Sequence, residues 1–214
     1  MRHRGALLLL LGTTAFLMLQ DPRLAECFND RAHIRMSDRA VNPQLTANPS
    51  ILDNFLKTVL GFEFPDGINK DLVGGEFGTV TGRIQFGSTR EDAGLRVRNH
   101  FHNPRFSWNQ AGSGLPFSES SIVWAQNPNQ LSFDKRSWKD ARDYYFQALT
   151  ATSVSERKRL YAETFRTLGH LIHLVQDAAS PAHTRIRKQE YVDDYMDYRF
   201  MEANLIFRSS SCSS

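Results

Sequence analysis

One helix constrains the fold of this chain more than any other feature. From Ser155 through Glu156 to Asp177 the apolar residues recur at helical spacing, and Ser180-Pro181 predicts its end because proline lacks the amide hydrogen that a continuing helix needs. Residues four apart on a helix lie on one face, about 6 Å apart at Cβ. His173 and Asp177 are therefore expected to point to the same side, where an imidazole and a carboxylate can share metal ions.

The rest of the chain predicts an all-α fold, since strand signals are sparse. Further helical patterns lie at 31–41, 134–150, 188–207 and in the segment from Asn48-Pro49 to Gly61. Residues 62–90 are Gly-rich and ambiguous. Residues 103–133 hold three prolines and little periodicity, which predicts one long loop, and a loop of that length inside a domain is often functional.

Composition limits the class of protein. With 214 residues, 41% of them hydrophobic and 23% charged, the chain suits one globular domain with a terminal appendage, and it excludes a disordered chain or a multi-span membrane protein. The net charge of +3 is too weak to argue for nucleic acid. Two cysteines, Cys27 and Cys212, exclude a disulfide-rich scaffold and a cysteine-based zinc finger.

The N-terminus resembles a secretion signal. Basic residues precede an apolar run from Ala6 to Leu19, and Ala25-Glu26-Cys27 offers a signal-peptidase site that would leave Phe28 as the first residue. This predicts a secreted or periplasmic protein with residues 1–27 removed, a domain over residues 28–208 and a Ser-rich tail over 209–214. A lipoprotein acylated at Cys27 and an uncleaved anchor are the alternatives, and the tail is either a flexible end or the product of a shifted or truncated frame.

Three further groups of residues suit a metal. His183 follows Pro181 and can fold back beside Asp177, and Asp92 and His100 lie eight residues apart before a proline turn. His33 lies five residues after Phe28, whose free α-amino group could chelate a metal with its own carbonyl once the signal is removed. Histidine and aspartate together suit Zn²⁺. Glu91 is expected to be solvated or to cap a helix, and His170 to pack behind the site.

The chain resembles the bacterial zinc-dependent phospholipases C in three segments. These are HIRMSDRAV (33–41), EDAGLRVRNHFHNP (91–104) and GHLIHLVQDAASPAHTR (169–185), of which the third is the most specific. That family shares an all-helical fold, with a trinuclear zinc cleft between helices, with the fungal single-strand-specific nucleases. The resemblance runs from about residue 28 to residue 185 and implies up to three Zn²⁺.

The resemblance also implies a ligand set. Asp177 would bridge two metals, Asp92 would ligate a metal and orient or deprotonate the attacking water, and Glu202 would complete the zinc that His183 binds. The remaining matched ligands are the backbone of Phe28 and the side chains of His33, His100 and His173. One departure concerns the last helix, because the family places a histidine there and this chain has Tyr198 instead. Asp193, Asp194 and Asp197 could substitute.

The resemblance implies a hydrolase of phosphodiester bonds, a phospholipase C with a phospholipid or membrane surface as substrate and no protein partner. A nuclease on the same scaffold is the first alternative, because Arg98, Arg105 and other arginines flank the motifs. A truncated, non-catalytic metal-binding homologue is the second, prompted by the missing histidine and the tail. A lipid substrate would favour an exposed apolar rim, for which the aromatic residues of the 103–133 loop are candidates.

Overall fold

The structure is a computed structural model that describes residues 30–42, 51–131 and 133–184. These ranges are helical and contain no β-strand, only isolated bridges of Asp71 with Thr79 and of Leu131 with Asp134. The α-helices are α1 (Asp30–Val41), α2 (Ile51–Thr58), α3 (Val80–Arg90), α4 (Ser121–Gln126), α5 (Trp138–Thr150), α6 (Val154–Asp177) and α7 (Pro181–Thr184). Short 3₁₀ turns cover Gly67–Asn69, Arg96–Asn99 and Trp108–Gln110. The predicted all-α class is confirmed.

Helix α6 is the central element of the described fold. It packs most extensively against α3 and α5 and also contacts α1. The α3–α6 contact depends on two glycines, because a Cβ on Gly87 would lie 1.9 Å from the Arg166 carbonyl oxygen and a Cβ on Gly169 would lie 2.1 Å from that of Ile84. The two backbones therefore approach closely at this crossing. The apolar core of the fold includes Leu56, Phe64, Val80, Ile84, Leu160 and Phe165.

Serine caps define where the long helices begin. Ser153, rather than Ser155, is the N-cap of α6 and accepts a hydrogen bond from the Glu156 amide, so the helix begins at Val154. Ser137 forms a capping box with Asp140, so α5 begins at Trp138 and not at residue 134.

The predicted 103–133 loop is wrong in part. Ser120 caps the short helix α4, whose Trp124 is buried, and the Trp108–Gln110 turn also interrupts the segment. Pro181 does not end α6, because α6 already stops at Asp177. It is instead the first residue of α7, a position where its fixed φ angle and missing amide hydrogen are tolerated.

Some predictions fall outside the described residues: the signal segment 1–27, Phe28, the cap at Asn48-Pro49, the helix at 188–207 with Glu202, and the 209–214 tail. In the described part of the chain, no helix combines the length and apolarity needed to cross a bilayer.

Candidate metal centre

The last turns of α6 carry the predicted histidine and aspartate pair, and both side chains are buried. His173 Nε2 lies 3.0 Å from Asp177 Oδ2, as their spacing of four residues predicts. The close crossing of α3 and α6 places His173 against the end of α3, where its Nδ1 donates to the Ser88 carbonyl over 2.7 Å.

Three other elements bring their predicted ligands to this pair. His33 comes from α1, His183 from α7, and Asp92 and His100 from the segment after α3. Asp177 Oδ1 lies 3.6 Å from His33 Nε2 and 3.4 Å from His183 Nε2, while Asp177 Oδ2 lies 2.9 Å from His100 Nδ1. Asp92 Oδ1 lies 3.5 Å from both His100 Nδ1 and His173 Nε2. The structure therefore gathers every predicted ligand that it describes into one cluster.

Hydrogen bonds fix which nitrogen of each ring faces the cluster. His33 Nδ1 donates to Gln176 Oε1 over 2.6 Å, and His100 Nε2 donates to the Glu91 carbonyl over 3.2 Å. With the His173 bond to Ser88, three imidazoles each give one N–H to a carbonyl oxygen. The opposite nitrogen of each ring faces the carboxylates with its lone pair, which is how protein side chains orient metal-binding histidines.

With His173 neutral, as it must be to bind a metal, the inward-facing atoms are all hydrogen-bond acceptors. His173 Nε2 and His100 Nδ1 lie only 3.2 Å apart, although each ring has its N–H bonded elsewhere. The ligand atoms of His100, His173 and Asp177 lie within 4.8 Å of one another, as do those of His33, Asp92 and His173. Atoms bound about 2.0–2.2 Å from a tetrahedral zinc ion are about 3.3–3.6 Å apart, so these residues fit a metal ion of that size.

Unsatisfied buried atoms support the same conclusion. Asp177 Oδ1, Asp92 Oδ2 and both ring nitrogens of His183 lack a hydrogen-bond partner. Buried polar atoms without a partner are costly and rare in proteins. Several in one cluster are what a group of side chains that could hold a cation would show.

In the metal-free chain, the imidazole of His173 carries the positive charge of this cluster at pH 7. Burial alone would lower the pKa of His173, but the Asp177 carboxylate outweighs burial and raises this pKa to about 9. Burial lowers the pKa of His33 to about 3 and that of His183 to about 4, so both rings are neutral at pH 7. Burial raises the pKa of Asp92 to about 6. Burial also opposes ionisation of Asp177, but the charges of His173 and His183 hold its pKa well below the usual value.

A second buried polar cluster, which we call the Glu91 cluster, lies against the first. It comprises Glu91, Arg96, Trp124 and His170. Glu91 Oε2 accepts from Arg96 Nε and from His170 Nδ1, each over 2.6 Å, and Glu91 Oε1 accepts from Trp124 Nε1 over 2.8 Å. Burial would raise the pKa of Glu91, but the His170 bond and the Arg96 charge outweigh it and lower the pKa to about 2.

Sequence reasoning missed this role of Glu91. Of the two expectations for Glu91, solvation is wrong because its side chain is fully buried, and the helix cap is confirmed because Glu91 is the C-cap of α3. His170 does pack behind the site as expected, where it bonds to Glu91 and links α6 to the segment that carries Asp92 and His100. No local signal identifies Glu91, although Glu91-Asp92 next to a histidine-rich turn pointed to the segment as a whole.

An apolar groove of about 440 Å³ also borders α6, lined by residues that include Leu171, Val175 and Trp138. Leu171 and Val175 lie on the side of α6 opposite His173 and Asp177, at the helical period of 100° per residue. This groove is therefore not part of the metal centre.

Comparisons of the chain with protein-family models, with curated proteins and with solved structures find no match. The function of the chain is therefore inferred from the geometry of the cluster.

Proposed function

We propose that this chain is a secreted, zinc-dependent hydrolase of phosphodiester bonds, with the helical architecture of the zinc-dependent phospholipase C and nuclease type, and that it acts on phospholipids. The position of Asp177 carries the proposal. Its Oδ1 faces His33 and His183, and its Oδ2 faces His100 and His173. A carboxylate that has two imidazoles close to each of its oxygens is suited to bridge two metal ions. Paired metal ions are typical of enzymes that hydrolyse phosphate esters.

The described residues would hold the metals in two overlapping sets. Asp92, His100, His173 and Asp177 make up the more complete set. His33 and Asp177 would form the second with the α-amino group and carbonyl of Phe28, which lies outside the described residues. A third ion would take His183 and Glu202, the latter also outside them.

The side chains have distinct tasks in such a centre. When bound, zinc ions lower the pKa of a coordinated water and offset the charge of a phosphodiester. Asp92 Oδ2 is buried and unbonded, so it can orient a water or accept its proton. Gln176 and the Ser88 carbonyl hold His33 and His173 with one nitrogen directed inward.

Zinc content, measured by elemental analysis, tests the proposal directly. We expect two or three zinc ions per chain, falling sharply in Asp177→Asn and unchanged in Asp53→Asn. Asp53 is a matched control because it is also a buried aspartate, bonded to the Ile68 amide and to Lys57 on an element that carries no candidate ligand. Comparing a preparation that begins at Phe28 with one that keeps residues 1–27 tests the α-amino ligand.

Activity then separates the proposed substrates. Zinc-loaded chain should release a phosphorylated head group from phosphatidylcholine, and Asp92→Asn should abolish this release. Faster cleavage of single-stranded DNA would favour the nuclease alternative. One zinc ion or none, with no hydrolysis of either substrate, would contradict the enzyme proposal and favour a non-catalytic homologue.

A further inference from the structure

The segment that follows His100 places two exposed lobes beside the metal centre. We name residues 104–110 the first lobe and residues 114–117 the second. All of these residues are exposed, while Asn103, Ala111 and Ser113 at their bases are buried. The lobes are thus anchored protrusions.

Hydrogen bonds at the bases hold each lobe in shape. The Asn103 amide donates to the Ala111 carbonyl over 2.8 Å and closes the first lobe. In the second, Ser113 Oγ donates to the Arg98 carbonyl and Arg98 Nη1 donates to the Pro116 carbonyl. Both lobes therefore keep a fixed position relative to Arg98 and Asn103, on either side of the ligand His100.

The lobes are tied to the wall of the metal centre. The His102 amide donates to the His183 carbonyl over 2.9 Å, and the Phe101 ring lies 4.7 Å from the His183 ring between centroids. The far end of the segment returns to the same wall, where the Glu119 amide donates to Asn99 Oδ1 over 2.7 Å. A surface that the lobes contact is therefore held close to the metals.

The lobes expose four large apolar side chains. Phe106 and Trp108 of the first lobe are more than half exposed, and Leu115 of the second is exposed as well. Phe117 is 97% exposed and adopts a φ angle of 60°, a left-handed conformation that is unfavourable for a bulky residue. The fold thus keeps strain at a position where it gains no internal packing, which suggests that this ring has an external partner.

Charge and composition favour a lipid surface as that partner. Residues 104–117 contain Arg105 and no acidic residue, so they suit phosphate groups without the dense positive charge that a nucleic-acid groove requires. Trp and Phe tips with Ser107, Asn109 and Gln110 between them match the interface between head groups and acyl chains, where aromatic residues are enriched.

We propose that the two lobes, with Phe106, Trp108, Leu115 and Phe117 at their tips, form a docking rim that inserts into a phospholipid surface and holds the metal centre against it. This inference rests on the proposed function and specifies the state of its substrate, which is lipid in an assembled layer. The rim would bind vesicles whether or not the centre hydrolyses them.

Co-sedimentation of the full zinc-loaded chain with phosphatidylcholine vesicles tests the rim. Phe117→Asn removes the ring at a position where asparagine tolerates the left-handed backbone, so it should not harm folding. We expect Phe117→Asn and Trp108→Ser each to weaken binding about tenfold or more, from the apolar area that each side chain would bury. The matched control is Phe62→Ser, because Phe62 is 96% exposed on the turn after α2, which carries no candidate ligand.

The same variants separate the rim from the chemistry. Hydrolysis of vesicles should fall more in Phe117→Asn than hydrolysis of the soluble diester bis(p-nitrophenyl) phosphate, and Phe62→Ser should change neither. Vesicle binding without hydrolysis of either substrate would support the rim and contradict the proposed function. Hydrolysis without vesicle binding, equal binding by wild type and both lobe variants, or a loss confined to binding of single-stranded DNA would each overturn the rim.

Discussion

The metal centre and the Glu91 cluster lie back to back and use the same kinds of side chain in opposite ways. Asp92 and Glu91 are neighbours in sequence, and Glu91 is fully buried while Asp92 is partly buried with its Oδ2 shielded from solvent. Glu91 receives three donors, whereas Asp92 Oδ2 receives none. Their pKa values differ accordingly, since burial and nearby hydrogen-bond donors act in opposite directions. Burial raises the pKa of Asp92 to about 6, whereas the His170 bond and the Arg96 charge outweigh burial at Glu91 and lower its pKa to about 2.

This contrast separates a structural carboxylate from a functional one. The Glu91 cluster is internally paired at its carboxylate, so it needs no ligand and fixes the segment between Asp92 and His100. In the metal centre, hydrogen bonds on the outer sides of His33, His100 and His173 direct one nitrogen of each ring towards Asp92 and Asp177, an arrangement that could hold a cation. Buried ionic groups alone do not indicate a binding site; a deficit of donors among them does.

The largest expected effect is that of Glu91→Gln on stability. The substitution leaves Arg96 buried without a carboxylate at bonding distance, since Asp134 Oδ2 is 3.9 Å away, and breaking a buried pair costs about 3–5 kcal/mol. Urea unfolding in the presence of a chelator measures this loss in the metal-free chain. A loss below about 1 kcal/mol would mean that the cluster does not support the segment between Asp92 and His100.

Local spacing could predict half of the described metal centre, while His33, Asp92 and His100 were placed there by the family resemblance and Glu91 by neither. His173, Asp177 and His183 lie within one helix and the turn after it, so local spacing predicts their proximity. Glu91 and His170 are 79 residues apart, and Glu91 and Trp124 are 33 apart, so only the packing of α3 and α4 on α6 joins them. Periodicity predicted α1, α2, α5 and α6, but α3 lies in the stretch 62–90 that stayed ambiguous and α4 in the predicted loop. The first residues of α5 and α6 depended on the caps Ser137 and Ser153, which hydrogen bonds define.

The second effect is stabilisation by zinc. At a free zinc concentration one hundredfold above its dissociation constant, the folded chain should gain about 2.7 kcal/mol, because the unfolded chain lacks the assembled site. Urea midpoints with zinc and with chelator measure the gain. It should be absent from Asp177→Asn and retained in Asp53→Asn; an equal gain in both variants would place zinc elsewhere.

The third expected effect is a gain in stability in Asp92→Asn, opposite in sign to the loss in Glu91→Gln. Because burial raises the pKa of Asp92 to about 6, the folded metal-free chain favours the protonated carboxyl, and stability present below about pH 4 is lost as pH rises through 6. Asp92→Asn should therefore stabilise the metal-free chain at pH 7 by about 2 kcal/mol, with little gain at pH 4. Unfolding at both pH values measures this. Destabilisation at pH 7 would show that the Asp92 carboxylate does receive hydrogen bonds, and the contrast with Glu91 would then be wrong.

The smallest expected effect is the loss of stability when one of the three hydrogen-bond donors to Glu91 is removed. Trp124→Phe removes the single bond to Oε1 and keeps both donors to Oε2, Arg96 and His170. The loss of one hydrogen bond to a buried charged group should cost about 1–2 kcal/mol, clearly less than Glu91→Gln. Chelator-treated protein in urea gives the value, and the double variant should cost less than the sum because both changes act on one network. Additive costs would mean that Trp124 contributes through packing, and the support of the Asp92–His100 segment would then rest on Arg96 and His170 alone.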